Sequence, residues 1–399
     1  RTALALSGTW ALGLGSLGFF LPYFTLYLTE NAGLRGAQAG AITALLPLMG
    51  LVAQPVWGQI ADRTGRRARV VAAICIGAAA ANLALGAQST FAGFALATAA
   101  LALFVTSFGA MTLAASISAL GAAGARGLGR VRVWGTLGFG AAALSVPPLL
   151  RALDGAGLAP GVEAPGASAP ALGAIYPAAS LWRACAAAAA LAVPEARGGA
   201  LRAERGEWRA LARDGRFARA LAFVFLAYLS MQGPMQMFPL LVRSHGGGVD
   251  AIARMWLVMI ALEAPLMFVL GRSVDRFSAR GIVAIGIVAS AVRWLVSGAT
   301  DDLRVLTAVQ ALHGVTVWGV MMGMPLYVDA LVPERLRATG QSAVGLAGSC
   351  LGAVASNLVA GWLVDAGGGR APALAGGALA LACALLLPVL LPRPPRTAA

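Results

Sequence analysis

Three ionisable side chains lie inside apolar segments of this sequence. Glu263 sits in Ala261-Leu262-Glu263-Ala264-Pro265-Leu266, Arg293 in Val292-Arg293-Trp294-Leu295, and His313 in Leu312-His313-Gly314-Val315-Thr316. A carboxylate, a guanidinium and an imidazole together form a set able to take up, hold and pass on a proton. A charge at the centre of a bilayer costs about 2.5–3.5 kcal/mol on insertion scales, so an intramembrane ionisable group is expected to carry function. Pro265 frees the Ala261 carbonyl from its helical bond and offers one more polar group at that depth. Glu263, Arg293 and His313 are therefore expected to form a proton-coupling centre. The alternative is a static Glu263–Arg293 ion pair beside a hydrogen-bonded core histidine, an arrangement that rarely stabilises on balance. A fourth group, Arg183 beside Trp182, can snorkel or pair locally.

The elements that must position these groups are membrane-spanning helices. Of the 399 residues 59% are hydrophobic and only 12% charged, with mean hydropathy +0.79, against about 25% charged in a soluble domain. Spans of about 20 apolar residues can be placed at 5–28, 38–60, 69–88, 91–121, 131–152, 170–193, 217–242, 251–271, 281–299, 303–330, 338–364 and 371–391. The expected fold class is an all-α membrane protein of twelve transmembrane helices in two six-helix halves. The halves are 1–193 and 217–399, joined by a polar cytoplasmic linker at 194–216 that is expected to lie as a solvated connector on the inner leaflet. With both termini inside, 22 arginines fall on the cytoplasmic side and 6 outside, counted along the sequence. That asymmetry sets the topology. It also explains the net charge of +14 without nucleic acid, since the arginines are dispersed among short loops with no basic stripe. Cys75, Cys185, Cys350 and Cys383 show no ligand-like spacing, so neither a disulfide framework nor a metal site is expected.

A short charged segment recurs across the two halves. Gly58-Gln59-Ile60-Ala61-Asp62-Arg63-Thr64-Gly65-Arg66-Arg67 returns in degraded form as Gly271-Arg272-Ser273-Val274-Asp275-Arg276-Phe277-Ser278-Ala279-Arg280, an offset of 271 − 58 = 213 residues. Reuse of one hairpin at the same place in each half points to a duplicated bundle. Glycine there is expected to let helix ends approach closely, and Asp62 to cap a helix or pair with a neighbouring arginine. The pattern resembles the loop between helices 2 and 3 of the major facilitator superfamily and its weaker echo between helices 8 and 9. Gly58, Asp62, Arg63, Gly65, Arg66, Gly271, Asp275 and Arg276 are accordingly expected to form an inner-face conformational latch.

Further stretches carry the resemblance along most of the chain: Pro22-Tyr23, Gln54-Pro55-Val56-Trp57-Gly58, Gly129-Arg130-Val131-Arg132-Val133-Trp134-Gly135, and the surroundings of Glu263, Arg293 and His313. Together they are similar to the lactose-permease branch of the superfamily, an MFS_1-like group with phenylpropionate-transporter-like and sugar-permease relatives. The resemblance implies that Glu263 touches substrate, that Arg293 and His313 belong to the proton network, and that Arg132 contributes to the substrate site. It departs from the permease pattern where Thr316 replaces a glutamate three residues after the histidine. No carboxylate lies between Phe91 and Arg126 to pair the helix 5 arginine, and helix 7 offers Gln232 and Gln236 with no lysine in the chain.

The expected function is secondary active transport by alternating access: proton-coupled symport of a small organic solute across the bacterial cytoplasmic membrane, by a monomer. An arginine among aromatic walls suits a carboxylate on an apolar body, so an organic or aromatic acid is favoured. The expected binding residues are Arg132, Trp134, Phe139, Tyr23, Gln232, Glu263 and Thr316. The alternatives are a sugar or nucleoside symporter, with Arg132 a mere cytoplasmic anchor, or a drug or metabolite efflux antiporter. The antiporter reading lacks the Gly-Pro-rich helix 5 motif, since the stretch reads Gly135-Thr136-Leu137-Gly138-Phe139-Gly140. With His245 and His313 the only histidines and no nucleophile set, an enzyme is not expected, nor is any cofactor. The expected partners are the solute, protons and the lipid bilayer.

Overall fold

The structure is a computed structural model that describes residues 1–121, 124–158, 169–195, 211 and 213–392, without the side chains of 124–126, 264, 267–275, 335 and 338. Most of the linker at 194–216, and the side chain of Asp275, thus lie outside the described residues. The first six long helices are α1 (Thr2–Phe20), α2 (Gly36–Thr64), α3 (Arg67–Gly86), α4 (Phe91–Leu120), α5 (Gly124–Gly155) and α6 (Ile175–Leu191). After α7 (Gly215–Gln236) the chain runs as one helical stretch, Val249–Ala299, broken at Ser278 into α8 (249–277) and α9 (279–299). Then follow α10 (Leu303–Leu331), α11 (Thr339–Gly367) and α12 (Ala371–Leu390). Among the described residues ten helices are long and apolar enough to cross a membrane. They become eleven if α7 and the short helix Phe238–Ser244, bent by 55° from it, make one span. Ser356 inserts into the α7 ladder just before that bend: its hydroxyl accepts from Gly233 N–H and donates to the Leu229 carbonyl, each at 2.6 Å.

Two compact units divide the chain: Arg1–Arg202 with Gly247–Leu257, and Ala203–Gly246 with Val258–Ala399. In the first, Leu6, Val71, Ile74, Cys75, Phe108 and Ala186 share one apolar core. α1 and α5 meet backbone to backbone, because a Cβ on Gly18 would strike the Phe139 carbonyl and one on Gly138 the Ala11 carbonyl. Small residues permit this contact where lipid supplies no hydrophobic drive. In the second unit α9 and α10 touch in the same way through Gly286 and Gly319. Among the described residues three π-helical segments interrupt the regular hydrogen bonding, at Tyr27–Asn31, Val317–Met322 and Leu346–Gly352.

The repeated hairpin has a physical basis different from the expected close approach. A Cβ on Gly58 or Gly65 would meet nothing within 4 Å. Gly65 is needed instead for its left-handed backbone, φ 63°, which ends α2. At the matching position of the second copy stands Ser278, the only positive-φ non-glycine among the described residues, at φ 60° and ψ 158°. Its hydroxyl accepts from Gly281 N–H at 3.3 Å and so caps α9. The two copies therefore turn at the same residue, one with a glycine and one with a strained serine.

Candidate functional site

The C-terminal polar cluster centres on Arg293, in the middle of α9 and 1% exposed. Its Nε donates to Gln310 Oε1 at 2.9 Å and its Nη1 lies 3.0 Å from His313 Nδ1. Nη2 points at the sulfurs of Met235 and Met259, at 3.4 and 3.6 Å, and Cζ lies 4.1 Å from the Trp294 ring centroid. Gln310 is fixed from its other end, since its Nε2 donates to Ser297 Oγ and to the Leu306 carbonyl, each at 3.0 Å. The guanidinium is thus engaged on its edge, its fork and its face.

The backbone explains why this cluster sits where it does. α10 is not continuous: Leu303–Val309 ends, Gln310 and Ala311 form a turn, and Leu312–Thr316 resumes before the π segment. Broken helices are tolerated at membrane depth where they line a site, because freed backbone groups find polar partners there. Gly314 brings α8 against this break. A Cβ there would lie 2.8 Å from the Glu263 backbone nitrogen, so the backbone of the half-buried Glu263 runs against Gly314, the residue after His313. Thr316 is buried, with its hydroxyl donating to the Leu312 carbonyl of its own helix at 3.1 Å. Gln232 is half-buried on α7.

The expected binding residues of the first unit separate into two groups. Arg132 stacks on Trp10 of α1, Cζ 4.8 Å from the ring centroid. Phe139, two turns later on the same face of α5, packs on Trp256 at 5.2 Å between centroids. One turn beyond, the Ala143 carbonyl accepts from the fully buried Tyr23 hydroxyl at 2.7 Å. Trp134 leaves this face, as a residue two positions from Arg132 must, and stands 50% exposed.

At the hairpin, Asp62, Arg63 and Arg66 are exposed, and Arg276 stacks on Phe277 with Cζ 5.3 Å from the ring centroid. The carboxylate that reaches the N-terminus of α3 is Glu195, accepting from Arg69 N–H at 3.0 Å and Ala68 N–H at 3.4 Å. An acid there complements the helix dipole. Glu195, Gln310 and Ser297 were not singled out by the sequence. Gln310 precedes His313 by three residues and Ser297 follows Arg293 by four, so helical spacing from the two charged residues was the available signal. His245, the other histidine, holds its ring nitrogens 2.8 and 2.7 Å from the Leu241 and Thr300 carbonyls, a structural tie. No group of three or more metal-ligating side chains occurs among the described residues.

Comparison with known proteins agrees with this architecture. The chain is 27% identical over 351 residues to maltose permease of Geobacillus stearothermophilus, covering 88% of this chain and 84% of that one. It is 23% identical over 366 residues to the uncharacterized transporter YwbF of Bacillus subtilis (strain 168), covering 92% and 87%. Two solved structures of the nucleoside transporter NupG superpose with TM-scores of 0.85 and 0.80, each at 16% identity over 98% of this chain and all of theirs. A bacterial homologue of the lysosomal transporter Spinster gives 0.69 at 17% identity, over 98% and 94%. The model of the MFS_1 like family matches residues 3–371. With this match over most of its length, the chain belongs to the MFS_1 like family and is a secondary transporter of the major facilitator fold.

Proposed function

We propose that the protein is a proton-coupled symporter of a small organic acid, working by alternating access in a bacterial cytoplasmic membrane. The observation that carries the coupling is the 3.0 Å contact between Arg293 Nη1 and His313 Nδ1 at the break in α10. A guanidinium only donates hydrogen bonds, so Nδ1 must accept and the ring must carry its proton elsewhere. Protonating Nδ1 removes the acceptor and sets two cations against each other. Proton uptake at His313 and the Arg293–His313 bond therefore exclude one another. Arg293, once released, would be free to pair with Glu263 or with a substrate carboxylate; we assign Glu263 the coupling role and Arg293 and His313 its control. Arg132, Phe139, Tyr23 and Gln232 are the binding residues in this reading, and the hairpins around Asp62 and Asp275 act as latches for two rocking halves.

A second reading, symport of a sugar or nucleoside, is favoured by two of the similar proteins, a maltose permease and a nucleoside transporter. One experiment separates the two. Proteoliposomes would be given labelled benzoate, maltose or uridine, with and without an inward proton gradient. The organic-acid reading predicts gradient-driven accumulation of benzoate only. Accumulation of maltose or uridine instead would replace it with the second reading.

A further inference from the structure

Arg183 is a second guanidinium buried in apolar surroundings, and proton coupling at Arg293 makes no use of it. It comes from α6 in the first unit and is fully buried. Its Nε donates to Ser16 Oγ of α1 at 3.1 Å, and its plane lies over Phe108 of α4, Cζ 4.5 Å from the ring centroid. Cys75 of α3 faces it. Among the described residues neither Nη atom has a hydrogen-bond partner beyond the weak interaction of the guanidinium with the Cys75 thiol. No acidic residue occurs between Asp62 and Asp154. The unit's described acids, Glu30, Asp62, Asp154, Glu195 and Asp250, all stand at or beyond helix ends. A guanidinium cannot shed its proton, and burying its charge without an anion is costly.

The occupied and open sides of Arg183 define what would complete it. One edge is tied to a hydroxyl and one face covered by a ring, which leaves the buried pair of Nη donors short of an acceptor. That fork matches the two oxygens of a carboxylate. The same aromatic pair also holds Arg132: Phe108 meets Trp10 edge to face at 6.1 Å, and Trp10 carries Arg132 on its ring. Arg132, Trp10, Phe108 and Arg183 therefore form one chain of cation–ring and ring–ring contacts.

We propose that the Nη fork of Arg183 is a carboxylate-binding site within the first unit, separate from Arg132, with the Phe108 ring beside it contacting the apolar body of the acid. The identity of the anion rests on the organic-acid reading above; the site itself rests on Arg183. In the purified full-length protein, sodium benzoate should raise the Tm saturably, beyond sodium chloride at equal ionic strength. Arg183→Lys should weaken the apparent affinity of the Arg183 site roughly tenfold or more, since an ammonium cannot reproduce the fork, and Arg183→Met should cut the benzoate effect to the part the Arg132 site supplies. An equal effect of chloride, or an unchanged benzoate effect in both variants, would overturn the site. A structure of the wild-type protein with 4-bromobenzoate tests the same point without relying on a variant that folds. Carboxylate density against the Arg183 Nη atoms is expected. Density only at Arg132 or Arg293 overturns this site while leaving organic-acid transport standing, and no bound acid anywhere overturns both.

Discussion

Arg293 and Arg183 are both full-length guanidiniums sunk in helical bundles, yet their surroundings differ. Around Arg293 each of the three nitrogens has a partner, Gln310, His313 or two methionine sulfurs, and Trp294 covers a face. Around Arg183 a hydroxyl and a ring answer one edge and one face, and the Nη pair has no partner beyond the Cys75 thiol among the described residues. A closed network holds its charge in one place until a partner changes protonation; an open fork waits for a ligand. Burial alone therefore does not assign a role to a membrane arginine. The accounting of its donors does.

The largest expected effect comes from removing each arginine in turn. Arg293→Met orphans Gln310 Oε1 and the His313 acceptor in the interior, which should cost about 1–3 kcal/mol in stability and abolish accumulation. Arg183→Met keeps the packing against Phe108 and removes an uncompensated buried charge, so its stability should be unchanged or higher. Thermal unfolding of the two variants side by side checks the contrast, and equal destabilisation would erase it. A smaller effect is expected at the hairpin. Asp62→Asn, exposed and far along the chain from either arginine, should slow turnover while leaving substrate affinity unchanged in equilibrium binding; a matching loss of affinity would remove Asp62 from the latch. The smallest effect tests the two copies of that hairpin. Ser278→Gly relieves a backbone conformation costing on the order of 1 kcal/mol and loses a cap worth a few tenths against glycine. A slightly higher Tm should result, whereas Gly65→Ser should lower it.

The helical class, the repeated hairpin and the buried Arg293–His313 pair were legible because each leaves a mark in composition or spacing. Charge is scarce in apolar sequence, so Glu263, Arg293 and His313 stand out, and the 213-residue offset, 271 − 58, maps Gly65 onto Ser278. Gln310 and Ser297 were not legible as members of the network because neutral polar residues are common in such helices; their role depends on which face of α9 meets which face of α10. That relation is set by Gly286 against Gly319, a tertiary fact. The break at Gln310–Ala311 carries no proline or glycine to announce it. Trp134 shows the opposite error: an aromatic beside Arg132 in sequence points away from it, because neighbours two apart do not share a helical face.

The claim that a proton on His313 controls coupling by releasing Arg293 is tested most directly by His313→Asn in proteoliposomes. The asparagine oxygen can accept from Arg293 where Nδ1 does, but it cannot take up a proton at neutral pH. Gradient-driven accumulation and equilibrium exchange of the same labelled solute would be measured on one preparation. The account predicts that exchange persists while accumulation is lost. Accumulation retained at the wild-type level would show that coupling needs no proton on His313 and contradict it.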